Sequence, residues 1–281
     1  MLIAIPSCGR STVEKQVTIR SLRNIPYKTV ICVPASEARR YRNNITDFEV
    51  VEVPDDIKGI SDTREWILFE LSKKMKEQRV LMLDDDMDFC VRTNGMEDPA
   101  LTTIKEPKRI EQMLDMLDRW MNEGFIHVGL SARQGNNHFP TKSDYDEKGV
   151  ARKWRDASRM MNAYAYDVSM LKKLKVNVGR NKVMHDFDLT LQLLRLGYPN
   201  RVSFEYCWNQ RGSGKTGGCS TYRDAAMQAA SAHQLKADHP DFVSVVTKKS
   251  KSNWQGMEER VDVTIQWRKA YDSAPKKKGT V

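Results

Sequence analysis

The sequence predicts an α/β fold: a mostly parallel sheet flanked by helices, forming one domain with a C-terminal helical extension. Three observations carry this reading. Short apolar runs ending in proline or in acidic turns alternate with helical patterns through the first third of the chain. The intervals between those runs fit crossover helices, which implies right-handed βαβ units and parallel neighbours. The chain has 281 residues, 40% apolar and 30% charged, enough to bury a substantial core and too apolar to stay disordered.

Each element follows in order. Leu2 to Pro6 is a short buried strand, closed by Pro6 and the turn Ser7–Arg10. Ser11 to Leu22 reads as a helix. Lys28 to Val33 is a second strand stopped by Pro34, and Ala35 to Arg42 a short charged helix. Phe48 to Val53 is a third strand stopped by Pro54. Ser61 to Lys76 is a strong helix, with Trp66, Ile67, Phe69, Leu71 and Met75 near a helical period. Arg79 to Leu83 is a fourth strand that runs straight into Asp84, Asp85 and Asp86. Ligands of open α/β sheets sit at the carboxyl ends of strands, so Ser7–Arg10, Pro34–Ser36, Pro54–Gly59 and Asp84–Asp86 should share one rim.

The middle is less regular. Glu106 to Asn122 is an amphipathic helix and Phe125 to Leu130 a strand; Ser131 to Lys153 reads as a long polar loop. Tyr164 to Leu174 holds a strand and a short helix. His185 to Leu196 is a helix stopped by Gly197 and Pro199. Arg211 to Ser220 is a basic glycine-rich loop, and Tyr222 to His239 a further helix. This divides the chain into residues 1–225, in halves of 1–100 and 101–225, and an extension with a basic tail over 226–281.

Charge is uneven. Residues 1–100 carry 15 basic and 17 acidic side chains, residues 101–200 carry 17 and 12, and residues 201–281 carry 14 and 8. The basic excess of the later part suits a polyanionic partner, with nucleic acid foremost. Five scattered cysteines form no CxxC pair, which argues against a disulfide framework and a structural zinc site and implies a reducing cytoplasm. No signal-peptide pattern and no 18-residue apolar stretch are expected to direct the chain to a membrane.

Four motifs carry chemistry. Asp84, Asp85, Asp86 and Asp88 crowd one strand end, and such carboxylates repel unless a cation neutralises them. Asp84 and Asp86 share a face if the strand period continues, and their hard oxygens suit Mg²⁺ or Mn²⁺. Arg64 lies one turn into a helix that opens at Lys58–Ser61, a place for an anion. Asp186, opening another helix, reads either as a cap or as a general base. Lys215, in its glycine-rich loop, could close over a diphosphate, although the loop is not a Walker A motif.

Together these segments resemble a known family. An Ile-Pro-Ser-x-Gly-Arg strand end, a Gly-Ile-Ser-x-x-Arg helix start, an apolar strand ending in Asp-Asp-Asp and a later acidic helix start resemble GT-A nucleotide-sugar glycosyltransferases. More closely, residues 3–10, 59–64, 81–86, 186–189 and 217–223 resemble the phage TET-associated glycosyltransferases, over roughly residues 1–225. The resemblance implies a GT-A-like, Rossmann-related sheet, with residues 1–100 as the nucleotide-sugar-binding half and 101–225 as the acceptor half, and transfer of a sugar, from a UDP-sugar foremost, to 5-hydroxymethyl pyrimidines in DNA, in a host cytoplasm. It implies that Pro6, Ser7, Arg10, Arg64, Asp84, Asp85 and Lys215 meet the donor, that Asp84 and Asp86 hold Mg²⁺ or Mn²⁺, and that Asp186 is the base. Arg211, Lys215 and Arg223 are the expected DNA contacts. Position 185 is His, where many GT-A enzymes have Glu.

Three other readings compete. A glycan, lipid or protein acceptor explains the acidic rim but leaves the basic later region without a use. A Mg²⁺-dependent nuclease or nucleotidyltransferase predicts a second carboxylate cluster for a second metal. A non-catalytic nucleic-acid binder gives the acidic strand end no purpose.

Overall fold

The computed structural model describes residues 1–210, 223–254 and 257–275. Four strands form the parallel part of the sheet: β1 (Leu2–Pro6), β2 (Thr29–Pro34), β3 (Glu49–Val53) and β4 (Arg79–Leu83). The sheet continues through β5 (Met87–Val91), β6 (Thr102–Thr103), β7 (His127–Ala132), β9 (Ala163–Asp167) and β10 (Arg201–Gln210), in the order β3-β2-β1-β4-β9-β7-β10-β5-β6. Strand β8 (Trp154–Asp156) pairs antiparallel with β10. Strand β9 runs against both β4 and β7, and β7 pairs parallel with β10, so the sheet is mixed with most of its strands pointing one way.

The apolar runs have this shape because both faces of the sheet are covered. Ile3, Ile5, Ile31, Val33, Leu81 and Leu83 point into a core shared with Tyr41 of α2 (Ala35–Asn44) and with Ile110, Met113, Leu114 and Leu117 of α5 (Pro107–Asn122). Their neighbours Leu2, Ala4, Val30, Cys32, Val80 and Met82 point the other way. There they meet Leu171 of α6 (Val168–Leu174), Leu189 and Leu193 of α7 (His185–Arg195), and Ile67, Leu68 and Leu71. The last three form a π-helical stretch, Ile67–Leu71, between α3 (Gly59–Trp66) and α4 (Ser72–Met75). Gly59, at φ +80°, supplies the left-handed backbone on which α3 opens.

Several expectations need correction. The helix over Ser11–Leu22 is confined to α1 (Val17–Ser21); the residues before it turn, which carries the Gln16 amide inward to hydrogen-bond the rim. The polar loop over Ser131–Lys153 is built, not slack. It contains 3-10 turns at Arg133–His138 and Lys142–Asp144, with Asn136 and Asp144 buried on Arg92 and Arg155. Strands β5 and β10 were not expected. The C-terminal extension holds helices α8 (Ala225–Asp238) and α9 (Trp267–Asp272), and between them a hairpin, β11 (Val243–Trp254) and β12 (Met257–Ile265). It is therefore not purely helical: Val243 and Val263 alternate inward onto Leu191 and Leu194 of α7 and Leu235 of α8, a strand pattern. Among the described residues no helix is long and apolar enough to cross a membrane.

Candidate active site

The carboxyl ends of β1 and β4 lie side by side, so the turn after each meets the other. The expected rim is present: Ser36 donates to Asp55 Oδ1 through its backbone N–H (3.1 Å) and its hydroxyl (2.8 Å), and Ser7 donates to Asp85. Tyr41 OH, 2.8 Å from Ser7 Oγ, gives its proton to that hydroxyl and accepts from the Arg10 backbone N–H at 3.0 Å. Gln16 Nε2 donates to Ser7 Oγ at 2.7 Å and to the Arg10 carbonyl at 2.8 Å. Every lone pair and proton of the Ser7 hydroxyl is thus used.

The three aspartates part company at Leu83, where the strand ends and the turn begins. Asp85 points back into the fold. Arg10 Nη1 reaches its Oδ1 at 2.5 Å, yet burial pushes the carboxyl up to about 6 against the pull of Arg10 and Ser7. Asp86 points along the rim, between Arg10 Nη1 at 2.9 Å and Gln210 Nε2 at 2.5 Å. Asp84 takes the opposite side and pairs with Arg64. Its carboxyl is raised by burial and held down in part by Arg64. The side chains of Asp84 and Asp86 remain 23% and 20% exposed, against 7% for Asp85. The crowding that seemed to demand an added cation is met here by two arginines of the chain itself. Thr18 staples the turn: its hydroxyl donates to the Asp84 carbonyl at 2.5 Å and accepts the Met87 N–H at 2.9 Å.

Arg64 joins this rim to the start of α7. One guanidinium nitrogen pairs with Asp84; the other lies 2.6 Å from His185 Nε2, and the guanidinium carbon sits 5.2 Å from the centre of the Tyr164 ring. A guanidinium only donates, so His185 Nε2 accepts and the ring is neutral, with its proton on Nδ1. Burial lowers the His185 pKa well below its ordinary value, and Arg64 and Arg223 push it the same way. Asp186, one residue on, is buried and accepts the Phe187 N–H at 2.9 Å. Burial raises its carboxyl, Arg64 opposes this, and the charge of Asp84 adds to the rise. Among the described residues Asp186 has no ion-pair partner. A carboxyl that is raised, unpaired and next to a guanidinium fork is suited to taking a proton.

The structure thus brings Pro6, Ser7, Arg10, Arg64, Asp84, Asp85, Asp86 and Asp186 to one rim. Arg211 and Lys215 lie outside the described residues. Arg223 faces inward: its Nε donates to Gln228 Oε1 at 3.1 Å, and Gln228 in turn reaches the Val261 carbonyl at 3.1 Å. Gln16, Thr18, Tyr41, Tyr164 and Gln210 were not expected. Each is an ordinary polar residue in sequence, and only the closing of the sheet gives it a partner. Two clefts of about 480 and 370 Å³ lie at the opposite, amino end of the strands, lined by residues such as Thr29 and Glu49, or Gln78 and Val168, and hold none of these groups.

A family model described as TET-Associated Glycosyltransferase matches residues 1–218. The beta-glucosyl-HMC-alpha-glucosyl-transferases of Enterobacteria phages T2 and T6 are 22% and 21% identical over 220 residues, covering 76% of this chain and 74% of each relative. Among solved structures, mannosyltransferase PcManGT from Pyrobaculum calidifontis in complex with GDP-Man and Mn²⁺ superposes with a TM-score of 0.50 at 14% identity, covering 84% of this chain and 62% of that one. The last likeness shows the fold, which is that of GT-A glycosyltransferases.

Proposed function

The chain belongs to the TET-associated glycosyltransferase family, and from that premise we propose that it moves a sugar from a nucleotide-sugar donor, a UDP-sugar foremost, to a 5-hydroxymethyl pyrimidine in DNA. It is a glycosyltransferase related to the phage hydroxymethylcytosine glucosyltransferases. One observation carries the finer reading. The Arg64 fork ties Asp84, on the strand-end rim, to His185, at the start of the helix that carries Asp186. Donor-side and acceptor-side groups therefore belong to one hydrogen-bonded network.

In this reading Pro6 and Ser7 border the nucleotide, and Arg10 and Arg64 turn from their aspartates to the donor diphosphate. The rim also fits a divalent cation. Asp84 and Asp86 offer partly open hard oxygens at one strand end. When bound, Mg²⁺ or Mn²⁺ would neutralise charge building on the departing diphosphate. Asp186 takes the proton of the acceptor hydroxyl as its oxygen bonds to the anomeric carbon and the bond to the diphosphate breaks. His185 and Tyr164 hold the other arm of the Arg64 fork meanwhile. Inversion at the anomeric carbon needs only this one base; under retention Asp186 would orient the hydroxyl instead.

The test is incubation of the protein with DNA bearing hydroxymethylcytosine, hydroxymethyluracil or β-glucosylated hydroxymethylcytosine, a panel of nucleotide sugars and Mn²⁺ or Mg²⁺, followed by nucleoside mass spectrometry. The glucosylated base belongs in the panel because the phage T2 and T6 relatives are named for it. A mass increase of one sugar, abolished by EDTA and restored by Mn²⁺, is expected. Transfer to glycans but to no DNA overturns the acceptor; full activity in excess EDTA overturns the metal.

A further inference from the structure

The segment between β8 and β9 holds an arginine that the chemistry above does not use. It is shaped tightly. Asn200 accepts the Ser158 N–H at 2.8 Å and donates to the Ser158 carbonyl at 2.7 Å. Ala157 and Asn162 take positive φ values, +50° and +63°, and Ala157, Ser158 and Met160 are buried. Asn162 donates to Gln210 Oε1 at 3.0 Å, and Gln210 holds Asp86. Among these neighbours Arg159 is exposed while Ala157, Ser158 and Met160 are buried.

Its guanidinium lies 5.1 Å from the centre of the Phe187 ring, the residue after Asp186. The cation–π contact fixes its position and uses none of its N–H donors. Its charged neighbours are Asp186 on α7 and Asp262 and Arg260 on β12, and none of them forms an ion pair with it among the described residues. Lys248 of β11 and Arg260 both pair with Asp262, at 3.1 and 3.2 Å. Register places Lys248 opposite Arg260 and Val246 opposite Asp262, so these side chains share the hairpin face turned away from α8. Among the described residues, three cations there face two carboxylates, and Arg159 is the one that forms no ion pair, beside the proposed base.

We propose that Arg159 binds a backbone phosphate of the acceptor DNA next to the nucleotide being modified, with Lys248 and Arg260 continuing the contact along the hairpin. The proposal rests on the DNA reading above. A planar guanidinium held on a rigid segment matches two phosphate oxygens. A phosphate placed there would lie beside Asp186 and so bring the target hydroxyl within reach of the base. Arg159 lies within the matched residues 1–218, and Lys248 and Arg260 lie beyond them.

The experiment compares wild type, Arg159→Ala and Arg159→Lys for binding to a hydroxymethylated duplex across a salt series, with nucleotide-sugar binding measured beside it. One lost phosphate contact weakens DNA binding about tenfold and flattens the plot of log K against log salt by about one unit. Arg159→Lys keeps the slope and recovers part of the affinity. The nucleotide-sugar dissociation constant stays the same in all three proteins. An unchanged slope in Arg159→Ala while wild type remains steeply salt-dependent overturns the Arg159 contact alone. A raised nucleotide-sugar constant moves Arg159 to the donor side and also overturns it. Salt-insensitive binding by wild type itself overturns the DNA reading, and the contact falls with it.

Discussion

Two clusters of arginine, histidine and aspartate hang on the same helix, and they have opposite characters. Asp186 belongs to the strand-end rim. Asp188, two residues on, belongs to the junction of α7 with α8. There Arg180 donates to both carboxylate oxygens at 2.6 and 2.7 Å, His239 Nε2 donates at 2.7 Å, and Gln192 adds a fourth bond at 2.9 Å. Asp188 and His239 are fully buried. Burial pushes the Asp188 carboxyl up, but the bonds from His239 and Arg180 outweigh it and bring the pKa below the ordinary range. At the rim the balance is reversed: Asp84, Asp85 and Asp186 are all raised, and Asp84 and Asp86 stay partly open. A carboxylate whose lone pairs are all engaged fastens two helices together. One left under-engaged in a dry place has capacity for a proton, a metal or a substrate.

The largest test of this contrast is Asp86→Ala. It should cut transfer by about a thousandfold or more, the scale of removing a main electrostatic group, with a melting curve close to wild type, since the residue lies at a rim. Retained activity would place Asp86 with the fastening groups. Asp188→Asn should do the reverse. Leaving buried His239 without its acceptor and exposed Arg180 without its partner should cost about 1–3 kcal/mol in urea unfolding, while turnover per folded molecule stays near wild type. Asp186→Asn should lower turnover about a hundredfold without raising the donor dissociation constant. If donor binding weakens and turnover holds, Asp186 is a donor-side group.

The smallest effect is one of pH. A carboxyl whose folded pKa is depressed stabilises the fold above its unfolded value, and that contribution disappears as pH falls through the folded one. Wild type should therefore lose stability below the ordinary carboxylate range, and Asp188→Asn should lose less over the same acid interval, as read from urea midpoints.

How much of this was legible in sequence differs between the two clusters. The rim was, because a strand that runs into Asp84–Asp86 and a helix start at Asp186 are local patterns. Its supports were not: Gln16, Thr18 and Gln210 acquire partners 69, 66 and 124 residues away, across elements that no local period connects. Asp188 was invisible for the same reason, its histidine lying 51 residues on. Strand β5 was hidden because it follows the acidic turn without punctuation. The hairpin was hidden because the charges of β11 mask its alternation. The basic last two thirds pointed to a polyanion, but not to Arg159, which only the rigid segment around it singles out.

The sheet order makes the acidic turn a strut. Three strands, β9, β7 and β10, lie between β4 and β5. In a flat sheet those four spacings measure about 19 Å. From Leu83 to Met87 the backbone takes four steps, which reach at most about 14 Å. The sheet must therefore curl toward itself at this end, and β10, whose register with β7 shifts between Ser203 and Cys207, provides the bend. Asp84–Asp86 is then a turn that bridges distant strands, with a span set by the curvature of the strands beneath it. One added residue between Leu83 and Met87 would leave each strand intact and lengthen the turn, so the spacing of the carboxylates is a property of the whole sheet.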